Sequence, residues 1–353
     1  MLERFVESIR AASSARPLCI RGSGSKDFYG NPAHGEILDT RAHAGIVAYE
    51  PTELVITARS GTPLREVESA LAEQGQLLAF EPPHFGTAAT LGGCVAAGLS
   101  GPRRAAVGAL RDFVLGVKML DGNASALTFG GQVMKNVAGY DVARLMAGSL
   151  GTLGLLLEVS LKVLPRPVAE ASLCLEAPQE KAIELINGWA GKPLPITATC
   201  WCDDLLTLRL AGAGAAVTAA RRQLGGEPVD AGAAVDFWRQ LREQQSDFFA
   251  GNPALWRLSL PSVTPALDIP GEQLIEWGGS LRWLKSSGDA AGIRDAAARA
   301  GGHATLFRAD PQLKLGTGAF QPLSPALLAL HRNLKSSFDP RGIFNPGRMY
   351  REF

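Results

Sequence analysis

Short apolar segments that end at glycine or at a turn sequence recur through the first half of the chain. Leu18–Arg21 is followed by a glycine loop, and Leu54–Ala58 is a second apolar run. Phe113–Leu120 and Ser125–Phe129 flank Asp121-Gly122-Asn123, a sequence typical of the tight turn between two antiparallel strands. These patterns predict two strands and a β-hairpin.

A helix is predicted after the second strand. Its apolar positions follow the spacing of one helical face, at Leu64, Val67 and Leu71. We expect Thr62 to cap this helix, Pro63 to occupy its first position and Gly75 to lie beyond its end.

The chain changes character after a strand predicted at Leu155–Leu164. That strand stops at Pro165-Arg166-Pro167, and we place the first domain boundary after residue 167. Helices predicted at Asp236–Phe249 and Ala290–Ala300 then mix with strands without a strict repeat, which indicates an α+β domain over residues 168–330. The strands predicted there are Pro193–Leu210, Ala254–Leu260, Leu281–Leu284 and Thr305–Arg308.

Charge and hydropathy exclude several classes of protein. The 353 residues carry a net charge of +1, with lysines and arginines spread along the chain, unlike the basic stripe of a nucleic-acid-binding protein. The N-terminal sequence lacks the apolar region of a secretory signal. The longest apolar stretch, near Leu150–Leu164, is interrupted by Glu158 and Lys162. We therefore expect no nucleic-acid partner, no transmembrane segment and a cytoplasmic location.

The five cysteines indicate structural thiols. Cys200 and Cys202 are two residues apart and no second cysteine pair or nearby histidine completes a metal site. Cys19, Cys94 and Cys174 are scattered. The sequence therefore predicts no metal site, no disulfide framework and no cysteine-bound iron–sulfur cluster within this chain.

Three glycine-rich segments are the candidate binding elements. The first follows the strand at Leu18–Arg21 and can present successive backbone N–H groups to an anion such as a phosphate. Asp27 stands where the third glycine of a dinucleotide-binding fingerprint would be, so an ordinary turn is the alternative. Its candidate cofactor-binding residues are Arg21, Gly22, Ser23, Gly24, Ser25 and Lys26.

The second segment, Gly86–Gly101, is almost free of bulky side chains. Such a run packs poorly as an ordinary core helix and suits backbone that lies against a flat ligand, with a contact between small-residue helices as the alternative. Its candidates are Gly86, Thr87, Thr90, Gly92, Gly93, Ala96, Ala97, Gly98, Ser100 and Gly101. The third segment, Gly148–Gly154, precedes a strand, so a plain helix-to-strand loop is its alternative. Its candidates are Gly148, Gly151, Thr152, Gly154 and Leu155.

The order of these segments resembles the FAD-binding domain of the vanillyl-alcohol-oxidase and D-lactate-dehydrogenase-like flavoproteins. The matching motifs are R-G-S-G-S at 21–25, A-T-L-G-G at 89–93, the hairpin at 113–129, K-N-V-A-G-Y-D at 135–141, G-S-L-G-T-L-G at 148–154 and D-P-R-G-I-F-N-P-G at 339–347. The resemblance implies bound FAD and an α+β fold, with a two-subdomain FAD-binding domain over residues 1–167 and a smaller α+β cap domain. After a helix predicted at Ser324–Ser337, residues 331–353 would return to the FAD-binding domain.

Within this family the chain resembles the FAD-binding subunits of bacterial glycolate dehydrogenase complexes, best over Gly130–Pro167. The resemblance implies oxidation of glycolate, a small 2-hydroxy acid, to glyoxylate. It also implies two partners: a homologous larger flavin subunit and an iron–sulfur subunit that receives the electrons. Any association with the inner membrane would come through these partners.

Two departures from the family shape the expected chemistry. Some members tether the flavin through a histidine in or beside the first loop, but Gly22–Tyr29 contains none, so we expect non-covalent FAD. Members that act alone have a larger cap with clustered His and Glu, which the five histidines of this chain do not form. Two alternatives therefore stay open: a self-sufficient dehydrogenase of another small alcohol, and a non-catalytic subunit that holds FAD for assembly or electron relay.

No catalytic residue is assigned from the sequence. The candidates to examine are Lys135, Asn136 and Tyr140, in the motif between the hairpin and the third glycine segment. Arg103 and Arg104 are further cations that could pair with a substrate carboxylate or stabilise reduced flavin, with solvated surface charges as the alternative.

Overall fold

The computed structural model of the chain describes residues 1–131, 140–251 and 253–353. The chain divides into two units. The first unit comprises Met1–Leu99, Ala109–Pro165 and Pro311–Phe353, and the second comprises Ser100–Gly108 and Arg166–Asp310. Both units combine helices with sheets, so the predicted α+β class is confirmed. Among the described residues, no helix has both the length and the apolar character needed to cross a bilayer.

The helices of the described residues are α1 (Leu2–Ala11), α2 (Leu64–Glu73), α3 (Leu91–Ala97), α4 (Arg104–Val107), α5 (Val142–Leu145), α6 (Gln179–Ala190), α7 (Gly214–Leu224), α8 (Ala231–Glu243), α9 (Ala290–Arg299), α10 (Pro311–Thr317) and α11 (Pro325–Phe338). The strands are β1 (Leu18–Arg21), β2 (Glu36–Asp39), β3 (Ile46–Glu50), β4 (Val55–Arg59), β5 (Gln76–Leu77), β6 (Val114–Leu120), β7 (Ala126–Gly130), β8 (Leu155–Lys162), β9 (Leu164–Pro165), β10 (Ala169–Glu176), β11 (Ile196–Cys202), β12 (Leu205–Gly212), β13 (Glu227–Val229), β14 (Leu255–Ser259), β15 (Glu272–Glu276), β16 (Leu281–Lys285) and β17 (His303–Arg308).

The main sheet of the first unit has five antiparallel strands in the order β3-β4-β8-β6-β7. Its strands β6 and β7 form the predicted hairpin, where Asp121 Oδ1 accepts the amides of Asn123 and Ser125 and so holds the turn. The predicted strand at residue 155 is the central strand β8, and the apolar side chains of Leu155, Val159 and Leu161 on it are buried.

Strand β1 leads into the first glycine loop and pairs in parallel with β2, which follows that loop in the chain. The closing segment of the chain adds to β1 on its other edge, because Leu18 N donates to Ile343 O over 2.8 Å and Asn345 N donates to Leu18 O over 3.0 Å. A buried apolar cluster that includes Phe5, Leu155 and Phe344 packs α1 and the closing segment together within the first unit.

A buried ion pair fixes the last helix to the closing segment. Lys335, in the last turn of α11, donates from Nζ to Asp339 Oδ2 over 2.7 Å, and also to the carbonyl oxygens of Thr152 and Phe344. The Asp339 carboxylate accepts the amides of Ile343 and Phe344 as well. Burial lowers the pKa of Lys335, although the charge of Asp339 acts in the opposite direction.

The second unit is built on an eight-stranded sheet in the order β13-β10-β12-β11-β15-β16-β14-β17. Helices α6, α7 and α9 bury their apolar faces on one side of it, in three separate clusters. Leu173 belongs to this side, so the adjacent Ser172 points to the opposite side. There Trp238 of α8 donates from Nε1 to Ser172 Oγ over 2.9 Å.

Two predicted helix starts differ from the structure for reasons of capping. Thr62 was expected to cap α2, but its hydroxyl group exchanges hydrogen bonds with the backbone of Gly45 instead. Helix α8 was predicted at Asp236–Phe249 and instead begins at Ala231, because Asp230 accepts the amide of Ala233 and caps it. It ends before Gln244, which adopts a left-handed conformation.

The two units differ from the domain limits expected from the sequence at residues 100–108 and 311–330. Residues 311–330 fall within the expected cap domain, yet they pack in the first unit, where Lys314 donates to the carbonyl oxygens of Phe28 and Gly30. Residues 100–108 belong to the second unit, where Arg103 pairs with Glu170 over 3.1 Å.

Replacing Lys335 with methionine should destabilise the first unit. Removing one partner of a buried ion pair leaves the other charge uncompensated, which costs about 3–5 kcal/mol. The measurement is urea unfolding followed by far-UV circular dichroism. All six tryptophans lie in the second unit, so tryptophan fluorescence follows that unit separately.

The control is Lys181→Met in α6, whose exposed pair with Glu184 should contribute about 0.5 kcal/mol or less. Equal shifts in unfolding free energy for the two variants would contradict the structural role assigned to Lys335.

Candidate functional site

The first glycine loop lies against the start of α3. A Cβ atom on Gly22 would lie 2.3 Å from Thr90 Oγ1, so only glycine fits this contact. Thr90 caps α3 by accepting the amide of Gly93 over 3.2 Å. Gly24 has φ +79°, a left-handed conformation that favours glycine. The two glycines therefore shape a loop whose backbone passes directly over the small-residue segment.

Donor groups of this loop are free to bind a ligand. The amides of Gly22, Ser23 and Gly24 form no hydrogen bond with any other residue that the structure describes. Arg21 pairs with Asp27 through Nη2, but its buried Nε has no partner within the described ranges. Because a cluster of N–H groups beside a guanidinium attracts negative charge, the loop suits an anion.

Two adjoining clefts open beside the loop, with volumes of about 80 Å³ and 60 Å³. They share Ile20, Gly22, Gly93, Ala96 and Leu150. Whole ligand pockets are about 300–1,000 Å³, so each cleft accommodates only part of a large cofactor.

Gly92 and Gly93 have different surroundings. Gly92 donates to Ser60 O over 2.7 Å, and a Cβ atom on it would lie 2.9 Å from that same oxygen. A Cβ atom on Gly93 would meet only Thr90 Oγ1, at 3.1 Å, and Gly93 lines both clefts. Gly92 is therefore required by packing inside the protein, whereas Gly93 leaves space for a ligand.

The third glycine segment packs against the end of α3. A Cβ atom on Gly98 would lie 2.8 Å from Gly148 Cα, and the amides of Gly148 and Leu150 donate to the carbonyl oxygens of Val95 and Ala96. Through these contacts Leu150 comes to line both clefts.

Two buried cations hold the chain that follows the first loop. Arg348 donates to the carbonyl oxygens of Lys26, Asp27 and Asn31, and Lys314 donates to those of Phe28 and Gly30. Arg348 also lines the larger of the two clefts. Burial lowers the pKa of Arg348, with the charge of Asp27 acting in the opposite direction.

Known proteins match the residues that build this site. The FAD binding domain family matches residues 3–130, and the C-terminal domain of FAD linked oxidases matches residues 321–349. Glycolate oxidase subunit GlcE of Escherichia coli (strain K12) is 54% identical over 343 residues, which are 97% of this chain and 95% of that protein. The chain belongs to the GlcE family.

Two further proteins are similar to this GlcE-family chain, one in sequence and one in fold. Glycolate oxidase subunit GlcD of Bacillus subtilis (strain 168) is 30% identical over 159 residues, 44% of this chain and 34% of that protein. A solved structure of alkyldihydroxyacetonephosphate synthase has a TM-score of 0.65 at 16% identity, covering 98% of this chain and 74% of that one. The predicted fold, flavoprotein family and FAD cofactor are confirmed, and the chain is an FAD-linked oxidoreductase.

FAD fits the site of this GlcE-family chain. The negatively charged pyrophosphate of FAD suits the amides of residues 22–24 and the Arg21 Nε, which have no partner among the described residues. The remaining parts of FAD suit the surface beside Gly93, where no side chain projects into the clefts. The hydroxyl oxygen of Ser60 is also buried without a partner among the described residues and lines the smaller cleft. The predicted residues that line the clefts are Arg21, Gly22, Ser23, Gly24, Ser25, Lys26, Thr90, Gly92, Gly93, Ala96, Ala97, Gly151, Gly154 and Leu155.

The other predicted cofactor residues lie elsewhere in the described chain. Gly86 and Thr87 are exposed, and Gly98 and Gly148 pack against each other. The hydroxyl group of Thr152 donates to Ser149 O over 2.7 Å. Ser100 and Gly101 belong to the second unit.

The catalytic candidates do not meet at the clefts. Lys135 and Asn136 lie outside the described residues, and Tyr140 is 95% exposed. Arg103 and Arg104 belong to the second unit, and Arg103 is only 7% exposed. Describing Arg103 as a solvated surface charge was therefore wrong, because its guanidinium pairs with Glu170.

The candidate list from the sequence lacks eight residues that line the clefts: Ile20, Asp27, Thr40, Ser60, Leu150, Leu156, Asn345 and Arg348. Asn345 belongs to the closing D-P-R-G-I-F-N-P-G motif and Arg348 follows it directly, so that motif was the available signal. Ser60 follows a strand without any pattern that marks it.

Gly93→Val should fold and lose FAD. A valine side chain would extend into both clefts, and the loss of two charged contacts at about 1.5–3 kcal/mol each should weaken binding by two to four decades. The measurement is flavin absorbance per protein, with circular dichroism for folding. Gly92→Val is the matched control, which should impair folding itself because of Ser60. A folded Gly93→Val protein with full flavin content would refute this role.

Arg348→Gln and Lys314→Met should both weaken FAD binding, by about tenfold or more, because each removes hydrogen bonds from a charged donor. Arg348 lines a cleft and holds the loop, whereas Lys314 holds the same stretch of backbone without lining either cleft. Similar losses would indicate that loop position matters, and a loss confined to Arg348 would indicate direct contact. The exposed Arg351→Gln is the control. Unchanged dissociation constants in both variants would exclude the two cations from FAD binding.

Proposed function

We propose that the chain is the FAD-carrying subunit of a complex that oxidises glycolate to glyoxylate. The observation that carries the proposal is the match along 95% of the Escherichia coli glycolate oxidase subunit GlcE, which is too extensive to reflect a shared FAD-binding domain alone. The cradle around Gly22, Gly93 and Arg21 supports it, because this chain retains the surfaces that a bound flavin needs.

Bound FAD would supply the hydride acceptor for oxidation of the hydroxy acid. The residues of the chain bind and orient it: the amides of residues 22–24 and the guanidinium of Arg21 bind the pyrophosphate, and the small residues Gly93 and Ala96 leave space for the rest. Ser60 is the hydroxyl group available to hydrogen-bond the cofactor in the smaller cleft. In this scheme the first unit is the FAD-binding domain and the second is the cap.

The FAD is bound without a covalent bond in this proposal. A tether needs a nucleophilic side chain such as histidine, cysteine or tyrosine beside the flavin. Among the described residues that line the two clefts there is none of these.

Electrons leave through partner subunits in this proposal. One partner is a homologous larger flavin subunit, and another is an iron–sulfur subunit that accepts the electrons. The word subunit in the name of the Escherichia coli relative supports an assembly of this kind. The complex would work in the cytoplasm, and any contact with the inner membrane would be made by the partners.

The isolated chain should therefore purify with FAD and turn over glycolate little or not at all. The measurement is dye-linked glycolate oxidation per flavin, for the chain alone and for the chain mixed with its two partner subunits. Acid precipitation of the same sample should leave the yellow colour in the supernatant. The Gly93→Val protein mixed with the same partners is the control that tests whether activity of the complex requires the flavin of this subunit.

Comparable rates per flavin for the isolated chain and the complex would overturn the multi-subunit proposal in favour of a self-sufficient dehydrogenase. Full activity of a complex that contains flavin-free Gly93→Val would favour a non-catalytic assembly subunit. A yellow protein pellet would overturn non-covalent binding.

A further inference from the structure

An arginine of the second unit has no anionic partner among the residues that the structure describes. Arg257 lies in β14 and is half-buried, with its guanidinium carbon 5.1 Å from the centre of the Trp277 ring. Its side chain forms no hydrogen bond or ion pair with any other residue that the structure describes. A guanidinium has five N–H donors in a plane, so these donors are available to a ligand.

The same indole ring carries a second guanidinium. Arg104 lies over Trp277 with its guanidinium carbon 4.4 Å from the ring centre. Trp277 is 6% exposed, and its Nε1 donates to Gly101 O over 3.0 Å. Two guanidinium groups therefore lie against one indole ring.

The backbone holds Trp277 in an unusual conformation. Trp277, Gly278 and Gly279 have φ angles of +52°, +68° and +97°, and a bulky residue rarely adopts a positive φ. The amide of Gly278 donates to Thr199 Oγ1, and Ser280 Oγ donates to Trp277 O. Such strain persists only where the surroundings fix it, and it is found most often at ligand sites.

The strands beside Arg257 supply an aromatic wall. Arg257 stands opposite Trp283 of β16, and residues directly opposite in an antiparallel pair share a face. Trp283 packs edge-on against Phe307 and Phe249, and its Nε1 donates to Glu276 Oε1 over 2.7 Å. The Glu276 carboxylate thus accepts a hydrogen bond from Trp283.

The charge of Arg257 also reaches a neighbouring histidine. Partial burial, and then the Arg257 charge, lower the pKa of His303. His303 is in β17, two residues along the strand from Thr305, which stands opposite Arg257. His303 and Thr305 therefore lie on the same face of the sheet as Arg257.

We propose that Arg257, supported by the Trp277 indole, binds the carboxylate of a small organic acid in the second unit. A guanidinium that stacks on an aromatic face keeps its N–H edge free, and that edge matches the two oxygens of a carboxylate. The aromatic wall strengthens the interaction by excluding water. Glycolate is such an acid, so this site deepens the proposed function and its choice of ligand rests on that function; binding of the acid itself does not require FAD.

Two sources share this chemistry: a 2-hydroxy acid and a plain carboxylic acid. The experiment is titration calorimetry of the full chain with glycolate, acetate and neutral ethylene glycol. It compares the unchanged protein with Arg257→Gln, Arg257→Lys and the control Arg299→Gln, an exposed arginine of the same unit. Circular dichroism checks that each variant folds.

Acid binding should weaken about 10- to 100-fold in Arg257→Gln, as expected for lost hydrogen bonds to a charged group, and less in Arg257→Lys, which keeps the charge. Arg299→Gln should change nothing, and ethylene glycol should not bind. A loss shared by glycolate and acetate assigns a general carboxylate site, and a loss confined to glycolate assigns the hydroxy acid; both support the proposal.

Unchanged acid affinity in a folded Arg257→Gln protein would overturn the site, as would failure of both acids to bind the unchanged protein. Flavin content recorded on the same samples keeps this result separate from the proposed function. Loss of FAD with intact acid binding would count against the flavin site alone.

Discussion

The carboxamide of Asn345 connects three segments that are far apart in the sequence. Its Oδ1 accepts Ile20 N over 2.7 Å, its Nδ2 donates to Leu150 O over 2.6 Å, and its own amide donates to Leu18 O over 3.0 Å. Leaving such buried backbone groups unsatisfied costs about 1–3 kcal/mol each. The separation of the first and third glycine segments, and hence the width of the clefts between them, depends on this side chain.

The glycines around the clefts satisfy two different constraints. Gly22, Gly92 and Gly98 allow one part of the protein to approach another, as the 2.8 Å separation between a Cβ atom on Gly98 and Gly148 Cα demonstrates. Gly93 instead leaves space that the protein itself does not fill. Both constraints require glycine. The sequence therefore indicates a binding region, but it does not distinguish the glycines needed for internal packing from those that leave space for a ligand. The short helix α3 could not be predicted there either, since its stability comes from burial between neighbouring elements rather than from its own residues.

Sequence patterns correctly predicted the elements that are stabilised by residues close together in the chain. The hairpin held by Asp121 and the helix capped by Ser324 need only neighbours in sequence, and both are found where expected. Strand β13 contains Pro228 and pairs only with β10, so it has no apolar pattern of its own and was not predicted. Lys314 looks like a surface residue in sequence, but its ammonium group lies on carbonyl oxygens almost three hundred positions earlier in the chain. Interactions of that range leave no periodic trace.

The buried cations Lys335 and Arg348 differ in whether a carboxylate neutralises their charge, and this difference separates a structural role from a role in binding. Lys335 has its own carboxylate, Asp339, so it stabilises the closing segment whether or not a ligand is bound. Arg348 binds carbonyl oxygens, and the carboxylate that acts on its pKa is Asp27, which already pairs with Arg21. The first loop therefore retains positive charge that a pyrophosphate would neutralise. A ligand that binds only the folded state stabilises that state. Because Arg348 joins the closing segment to the first loop, bound FAD should stabilise the closing segment, and the closing segment should in turn strengthen FAD binding.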